Sequence, residues 1–169
     1  MTTEDSGGTL VRDAVPADVG QLLAMVHGLA DYEHAADHVM ATEEDLAKAL
    51  FSPDPKVFAL VAEKAGALVG MAIYFLTFST WTGRHGFYIE DLFIVPGQRR
   101  AGTGKALFRA LAARAAQIGC PRIEWAVLDW NQSAIDFYLS LGALPLDEWR
   151  TFRLSGPALT DLGSTGTKD

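Results

Sequence analysis

A chain of 169 residues that is 49% hydrophobic and 21% charged holds enough apolar material for one soluble globular domain and leaves little room for a second. Its formal net charge of −7 argues against a general nucleic-acid binder, which neutralises phosphates with cations, and favours a cationic partner. No apolar run reaches the roughly 18 residues of a membrane span, so no membrane association is expected.

The start, Met1-Thr2-Thr3-Glu4-Asp5-Ser6-Gly7-Gly8, is polar and acidic, unlike a secretory leader, and reads as the flexible terminus of a cytoplasmic protein. Thr9 to Val15 reads as a short strand. Pro16-Ala17-Asp18 then opens an amphipathic helix with Val19, Leu22, Leu23, Val26, Leu29 and Ala30 at helical spacing, ending in Asp31-Tyr32-Glu33-His34. Thr42 caps a second helix, with Asp45 returning the bond, and Pro53 and Pro55 stop it. Val57 to Glu63 and Leu68 to Phe78 form a hairpin around Lys64-Ala65-Gly66-Ala67. Gly86 to Val95 is apolar on both faces apart from Glu90-Asp91, which implies a centrally buried strand.

Ala101 to Ile118 is a long Ala/Leu-rich helix ended by Gly119, with Pro121 just beyond. Cys120, the only cysteine, permits no internal disulfide and no Cys-rich metal site, and it suits a reducing compartment. Arg122 to Leu128 reads as a strand, Ser133 to Leu141 as a short helix ended by Gly142, and Glu148 to Leu154 as a closing strand. Residues 156–169, rich in Gly, Thr and Ser, read as a second flexible terminus. The order implies one α/β domain over residues 9–155, a mixed central sheet that is mostly antiparallel, with a parallel βαβ crossover and flanking helices.

Charge is divided along the chain. From Leu92 to Ile123 there is no Asp or Glu, while Arg99, Arg100, Lys105, Arg109, Arg114 and Arg122 are all present. Acids gather at Asp31-Glu33-Asp37, Glu43-Glu44-Asp45, Glu90-Asp91 and Asp147-Glu148. An enzyme joining an anionic cofactor to a cationic substrate needs such a division, although solvated helix faces explain any single group equally well. The basic stretch contains a buried strand that runs through Val95-Pro96 into a Gly-containing turn and straight into the long helix. The unpaired N–H groups and dipole of that helix start can receive a phosphate. A P-loop is excluded, because Gly97 and Gly102 have its spacing but Thr103 stands where its lysine is required. The dinucleotide fingerprint fails at Leu107, which replaces its third glycine.

Arg99-Arg100-Ala101-Gly102-Thr103-Gly104 matches the pattern Arg/Gln-x-x-Gly-x-Gly/Ala and resembles the acetyl-CoA loop of GNAT acetyltransferases. Its surroundings extend the likeness: Tyr88-Ile89-Glu90-Asp91-Leu92-Phe93-Ile94, Ala126-Val127-Leu128-Asp129-Trp130-Asn131, Ala134-Ile135-Asp136-Phe137-Tyr138 and Leu141-Gly142-Ala143 resemble the diamine, or spermidine/spermine, N-acetyltransferase branch. Leu29-Ala30-Asp31-Tyr32-Glu33 and Glu148-Trp149 carry it to both ends. The resemblance implies a GNAT fold, a homodimer, acetyl-CoA as cosubstrate and a small-molecule cationic amine as acceptor. It implies that Leu92, Phe93 and Ile94 present backbone groups to the pantetheine and the acetyl carbonyl. Arg99, Arg100, Ala101, Gly102, Thr103, Gly104 and Lys105 would bind the pyrophosphate, and Asn131 and Ser133 the cofactor's other side. Tyr138 matches the general acid, and Glu90 the carboxylate that draws a proton from the amine. Tyr32, Glu33, Trp81 and Glu148 match positions around the amine.

An alkyl amine with a pKa near 10.4 is protonated at pH 7, and freeing its nucleophilic form costs about 4 to 5 kcal/mol. A carboxylate can hold the cation and take the proton. Glu90 is read as that group because a glutamate without purpose on a buried strand would be costly, and Asp91 is read as structural. The segment Phe78-Ser79-Thr80-Trp81 lacks the acidic residue that polyamine enzymes carry before the tryptophan, which argues against spermidine. A shorter diamine, a lysine-like amino acid or another primary amine fits equally. His34 and His38 have metal-compatible spacing with no evident third partner, so no metal is expected. Two rival readings are an acyl-CoA-binding regulatory module without turnover, and a GNAT enzyme acting on a protein terminus or an antibiotic amine.

Overall fold

The computed structural model describes residues 3–4 and 8–164. They fall into two compact units that divide after Leu128. The first carries the whole sheet, in the spatial order β1 (Thr3–Glu4), β2 (Leu10–Asp13), β3 (Val57–Lys64), β4 (Ala67–Ser79), β5 (Arg84–Ile94) and β6 (Ile123–Trp125). Neighbouring strands are antiparallel except β5 and β6, which are parallel and joined through helix α3 (Thr103–Gln117). The mixed sheet with one parallel crossover is therefore the expected one.

β3 and β4 are buried on both faces through their central residues, 59–62 and 69–74, because helices cover both sides there. On one face, α1 (Val19–Tyr32) and α2 (Glu43–Phe51) bring Leu22, Met25 and Leu50 onto Ala59, Val61, Met71, Ile73 and Phe93. On the other, α3 buries Leu107 and Leu111. There Tyr74 stacks on Phe87 with ring centroids 4.8 Å apart, and Phe108 meets Trp125 edge-on at 5.0 Å. Arg114 of α3 donates to the Tyr74 hydroxyl at 2.7 Å and to Asp13 at 2.8 Å, tying the helix to β2 and β4.

The entry to α1 is a 3-10 turn, Pro16–Asp18, rather than the first turn of the α-helix itself. Its anchor is Asp18, which accepts from Arg12 at 2.7 and 3.1 Å and from the Val15 N–H at 2.8 Å. The Arg12 guanidinium holds the Asp18 carboxyl below its ordinary pKa. α2 has the expected cap, with Asp45 N–H donating to Thr42 Oγ1 and Thr42 N–H donating back to Asp45. α3 begins at Thr103, two residues later than the sequence suggests, because the turn through Gly102 is left-handed.

The second unit holds α4 (Gln132–Ser140) and α5 (Gly156–Ser164). Three expectations fail toward this end of the chain. The strand read over Arg122 to Leu128 is only Ile123–Trp125. Glu148 to Leu154 forms no strand and is exposed, since β-branched and aromatic residues make a strand only where a neighbouring ladder accepts their backbone. The tail read as loose is helical over Gly156–Ser164, with Pro157 in the first turn where its missing N–H costs nothing. At the other terminus Thr3–Glu4 pairs with β2. The remaining residues read as flexible, 1–2, 5–7 and 165–169, lie outside those described.

Candidate functional site

The site grows from an irregularity in β5. Tyr74 of β4 faces Ile89, and the next residue, Ile73, faces Asp91, so Glu90 has no partner across the ladder. One inserted residue reverses the side-chain alternation. Before it, Phe87 and Ile89 share the α3 face with Tyr74; after it, Asp91 and Phe93 lie opposite Ile73 and Met71 on the α1 face. Glu90 itself is exposed on the bulge. The argument that it sits buried is thereby corrected: Ile89-Glu90-Asp91-Leu92 looks like a continuous buried strand only if its alternation is uninterrupted.

The carboxylate that burial does perturb is Asp91. It is half-buried, and desolvation, followed by the charges of Glu90 and Glu33, pushes its pKa up to about 6. Glu33, at the C-terminal end of α1, is also raised by burial. The three acids make an electronegative patch where α1 ends against β5. The sequence alone reads Asp91 as structural, because the bulge that turns it toward α1 is defined by which residues of β4 stand opposite.

The bulge also marks where β6 leaves β5. Phe87 N–H donates to Arg122 O at 3.1 Å, and parallel pairing then runs from Phe87↔Ile123 to Ile89↔Trp125 and stops. Among the described residues no strand covers that edge of Asp91–Ile94. On the opposite edge Val95 N–H donates to Val69 O at 3.0 Å, so by alternation Phe93 points its backbone groups at β4. Leu92 and Ile94 point theirs at the uncovered edge.

The loop that follows turns through three left-handed residues: Gly97 at φ 87°, Arg100 at 65° and Gly102 at 87°. Glycine adopts this conformation freely; arginine adopts it at a cost of about 1 kcal/mol or more. Gly102 starts α3 without a side-chain cap. Thr103, 1% exposed, has a buried Oγ1 with no hydrogen-bond partner. Arg100, Ala101, Gly102 and Lys105 are exposed around this helix start. Gly70 lets the parts converge, because a Cβ there would lie 2.7 Å from Ile94 Cδ1 and 3.4 Å from Thr103 Cγ2. An uncapped helix start with an orphaned buried hydroxyl and exposed cations fits the phosphates and amides of a coenzyme A ester.

Arg99 behaves differently from its neighbours. Its Nε donates to Ile94 O at 3.2 Å, and its guanidinium lies 4.6 Å over the Tyr32 ring and 5.8 Å from that of Phe93. Tyr32, Phe93 and Arg99 form one end of a groove of about 630 Å³ between α1 and the end of β5, which Gln21, Met25 and Gly28 also line. Trp81 is 89% exposed at the tip of the β4–β5 hairpin.

In the second unit, Asn131 caps α4, its Oδ1 accepting from Ala134 N–H at 3.3 Å, and Ser133 is exposed in the first turn. Tyr138 is half-buried against Phe137, with ring centroids 5.5 Å apart. Glu148 is exposed in irregular chain. The structure thus brings Tyr32, Phe93, Ile94 and Arg99 together, and Glu33, Glu90 and Asp91 together, within the first unit.

Residues 16–143 match the acetyltransferase (GNAT) family. The chain is 38% identical to a thialysine N-epsilon-acetyltransferase of Sus scrofa over 90% of its own length and 96% of the relative's. It is 31% identical to an L-ornithine N5-acetyltransferase of Arabidopsis thaliana, covering 88% of the chain and 85% of the relative. Among solved structures, an integron cassette protein from the mobile metagenome of V. cholerae superposes with a TM-score of 0.77 at 27% identity, over 93% of this chain and 98% of that one.

Proposed function

The chain belongs to the acetyltransferase (GNAT) family, and from that premise we propose that its acceptor is the side-chain amine of a lysine-like amino acid. The protein is an acetyl-CoA-dependent N-acetyltransferase acting on a primary amine of a small molecule. The narrower acceptor is supported by the relatives named for thialysine and ornithine, both amino acids that end in a primary amine. It is supported too by Phe78-Ser79-Thr80-Trp81, which offers no acid for a second ammonium group of a polyamine.

The observation that carries the site assignment is the uncovered edge of β5 at Leu92 and Ile94, next to the uncapped start of α3. Acetyl-CoA supplies an activated thioester there. Leu92 and Ile94 offer backbone groups to the pantetheine arm, and the Ile94 N–H is aimed at the acyl oxygen, where such a donor contributes about 3 to 4 kcal/mol. Arg100 and Lys105, with the first N–H groups of α3 and the Thr103 hydroxyl, hold the pyrophosphate; Asn131 and Ser133 serve its other side. Glu33, Glu90 and Asp91 hold the ammonium. Glu90 and Asp91 serve the proton removal, and burial, which pushes the Asp91 pKa up to about 6, fits Asp91 to accept a proton near neutral pH. As the amine nitrogen bonds to the acyl carbon and the carbon–sulfur bond breaks, Tyr138 gives its phenolic proton to the departing sulfur.

Both units form one acetyltransferase domain over residues 9–155, a reading supported by the family match, which runs across Leu128. The working form is a homodimer, a reading that follows the family resemblance and to which the exposed apolar side chains of Leu144, Leu146, Trp149 and Phe152 lend support. A cytoplasmic location suits the buried free thiol of Cys120.

The test is acetyl-CoA-dependent thiol release over a panel of lysine, ornithine, thialysine, diamines, polyamines and aminoglycosides. The highest kcat/KM is expected for the amino acids. Faster turnover of spermidine or of an aminoglycoside would overturn the acceptor assignment.

A further inference from the structure

We infer that Arg99 is a positioning residue that straps the cofactor loop to α1, rather than a ligand of the cofactor's phosphates; the inference rests on the acetyl-transfer reading above. Residues 96–102 cross from β5 to α3 through three left-handed positions, with one short turn at 96–97, where Gln98 N–H donates to Val95 O at 3.0 Å, and another at 99–100. Such a segment needs a side-chain tie to hold one shape. Arg99 provides it by using both parts of its guanidinium group. The edge donates through Nε to Ile94 O, and the face lies 4.6 Å over Tyr32. Phe93, 5.8 Å from the same group, is pressed against α1 where a Cβ at Gly28 would meet its ring at 3.0 Å.

The strap therefore joins the loop, the last residue of β5 and the last residue of α1. Two consequences follow for the reaction. Ile94 O, which points at the uncovered edge, already accepts from Arg99 through one lone pair, and the Ile94 N–H is the donor that residue presents there, as an oxyanion site requires. The Tyr32 ring already carries a cation on one face, so Tyr32 serves the amine end by fixing where α1 stops and hence where Glu33 stands.

Arginine and lysine are not equivalent in this role. A phosphate ligand tolerates lysine as a point charge, whereas a stacked guanidinium that also donates sideways does not. The test uses the full-length protein and its R99K, R99M, Y32L and Y32L/R99M variants. Acetyl-CoA dissociation constants are measured by calorimetry at low and high salt, steady-state constants with the best amine of the panel, and hydrogen exchange of residues 96–102 without ligand.

R99M is expected to weaken acetyl-CoA binding about five- to tenfold and to lower kcat as well. R99K should stay within about twofold of R99M, with the parent's salt dependence retained in both. Exchange of the loop amides should quicken in both ligand-free variants. The double variant should be no more than about twofold worse than R99M, since the two side chains act as one unit. Parent-like binding in R99K, a flattened salt dependence on losing Arg99, unchanged loop exchange, or additive single effects would each overturn the proposal. If the parent protein itself fails to bind acetyl-CoA, the acetyl-transfer reading falls first and takes this one with it.

Discussion

From Phe87 to Ile89, β5 is paired on both edges and turns Phe87 and Ile89 into the core under α3; from Asp91 to Ile94 it keeps only β4 and turns Asp91 and Phe93 toward α1. The two arms have similar composition and belong to one strand, yet the first serves stability and the second presents backbone and carboxylate to a ligand. One residue, Glu90, separates them. The difference teaches that register, more than residue type, decides which part of a buried strand is available for chemistry.

Deleting Glu90 tests this most severely. The deletion removes the inserted residue and leaves Ile89 opposite Tyr74 and Asp91 opposite Ile73, so both arms keep their faces. Cooperative folding by circular dichroism and calorimetry is expected, while loss of the Glu90 carboxylate and of the bend at the bulge lowers kcat/KM by about 100-fold. A deletion that failed to fold, or that turned over at the parent rate, would contradict the place of Glu90 between the arms. The first arm alone is probed by Phe87→Ala, which should cost about 3 to 5 kcal/mol of stability in urea titration and leave KM for acetyl-CoA unchanged.

The chemistry assigned beyond the bulge predicts that Tyr138→Phe retains fold and acetyl-CoA affinity and loses about 100-fold in kcat. Turnover at the parent rate would remove Tyr138 as the acid. Asp91→Asn should show an inverted pH effect. Because Asp91 has its pKa raised in the folded state to about 6 from 3.8, folding takes up a proton, and stability is lost as pH rises from about 4 through about 6. The variant should therefore be more stable than the parent at pH 8, by up to about 2 kcal/mol, and not at pH 4. It should also lose the acidic limb of the kcat/KM profile near pH 6. The smallest effect is on the loop: Arg100→Gly should add about 1 kcal/mol of stability by relieving a left-handed arginine, while raising KM for acetyl-CoA.

What could be read from the sequence follows the same division. Helix ends were legible where a local device writes them, as at Thr42 with Asp45 and at Gly119 and Gly142, both left-handed in the structure. The βαβ step and its loop were legible because a strand, two glycines and an Ala/Leu-rich helix are continuous in the chain. The exposure of Glu90, the perturbation of Asp91 and the Arg99 strap were not, since each depends on which residues of another element stand opposite. Nor was the absence of a strand over Glu148 to Leu154, which turns on whether a neighbour offers a ladder. Asn131 illustrates a mixed case: its role as the cap of α4 is local, while its service to the cofactor rests on resemblance alone.

The central claim is that acetyl-CoA lies on the edge of β5 that β6 abandons. Backbone amide NMR during acetyl-CoA titration tests it most directly. The account predicts that the Leu92 and Ile94 amides shift and gain exchange protection, together with those at the start of α3 from Thr103 to Lys105, while Phe87 and Phe93 change little. Saturable binding that left Leu92 and Ile94 unmoved, with the shifts gathered elsewhere, would contradict it.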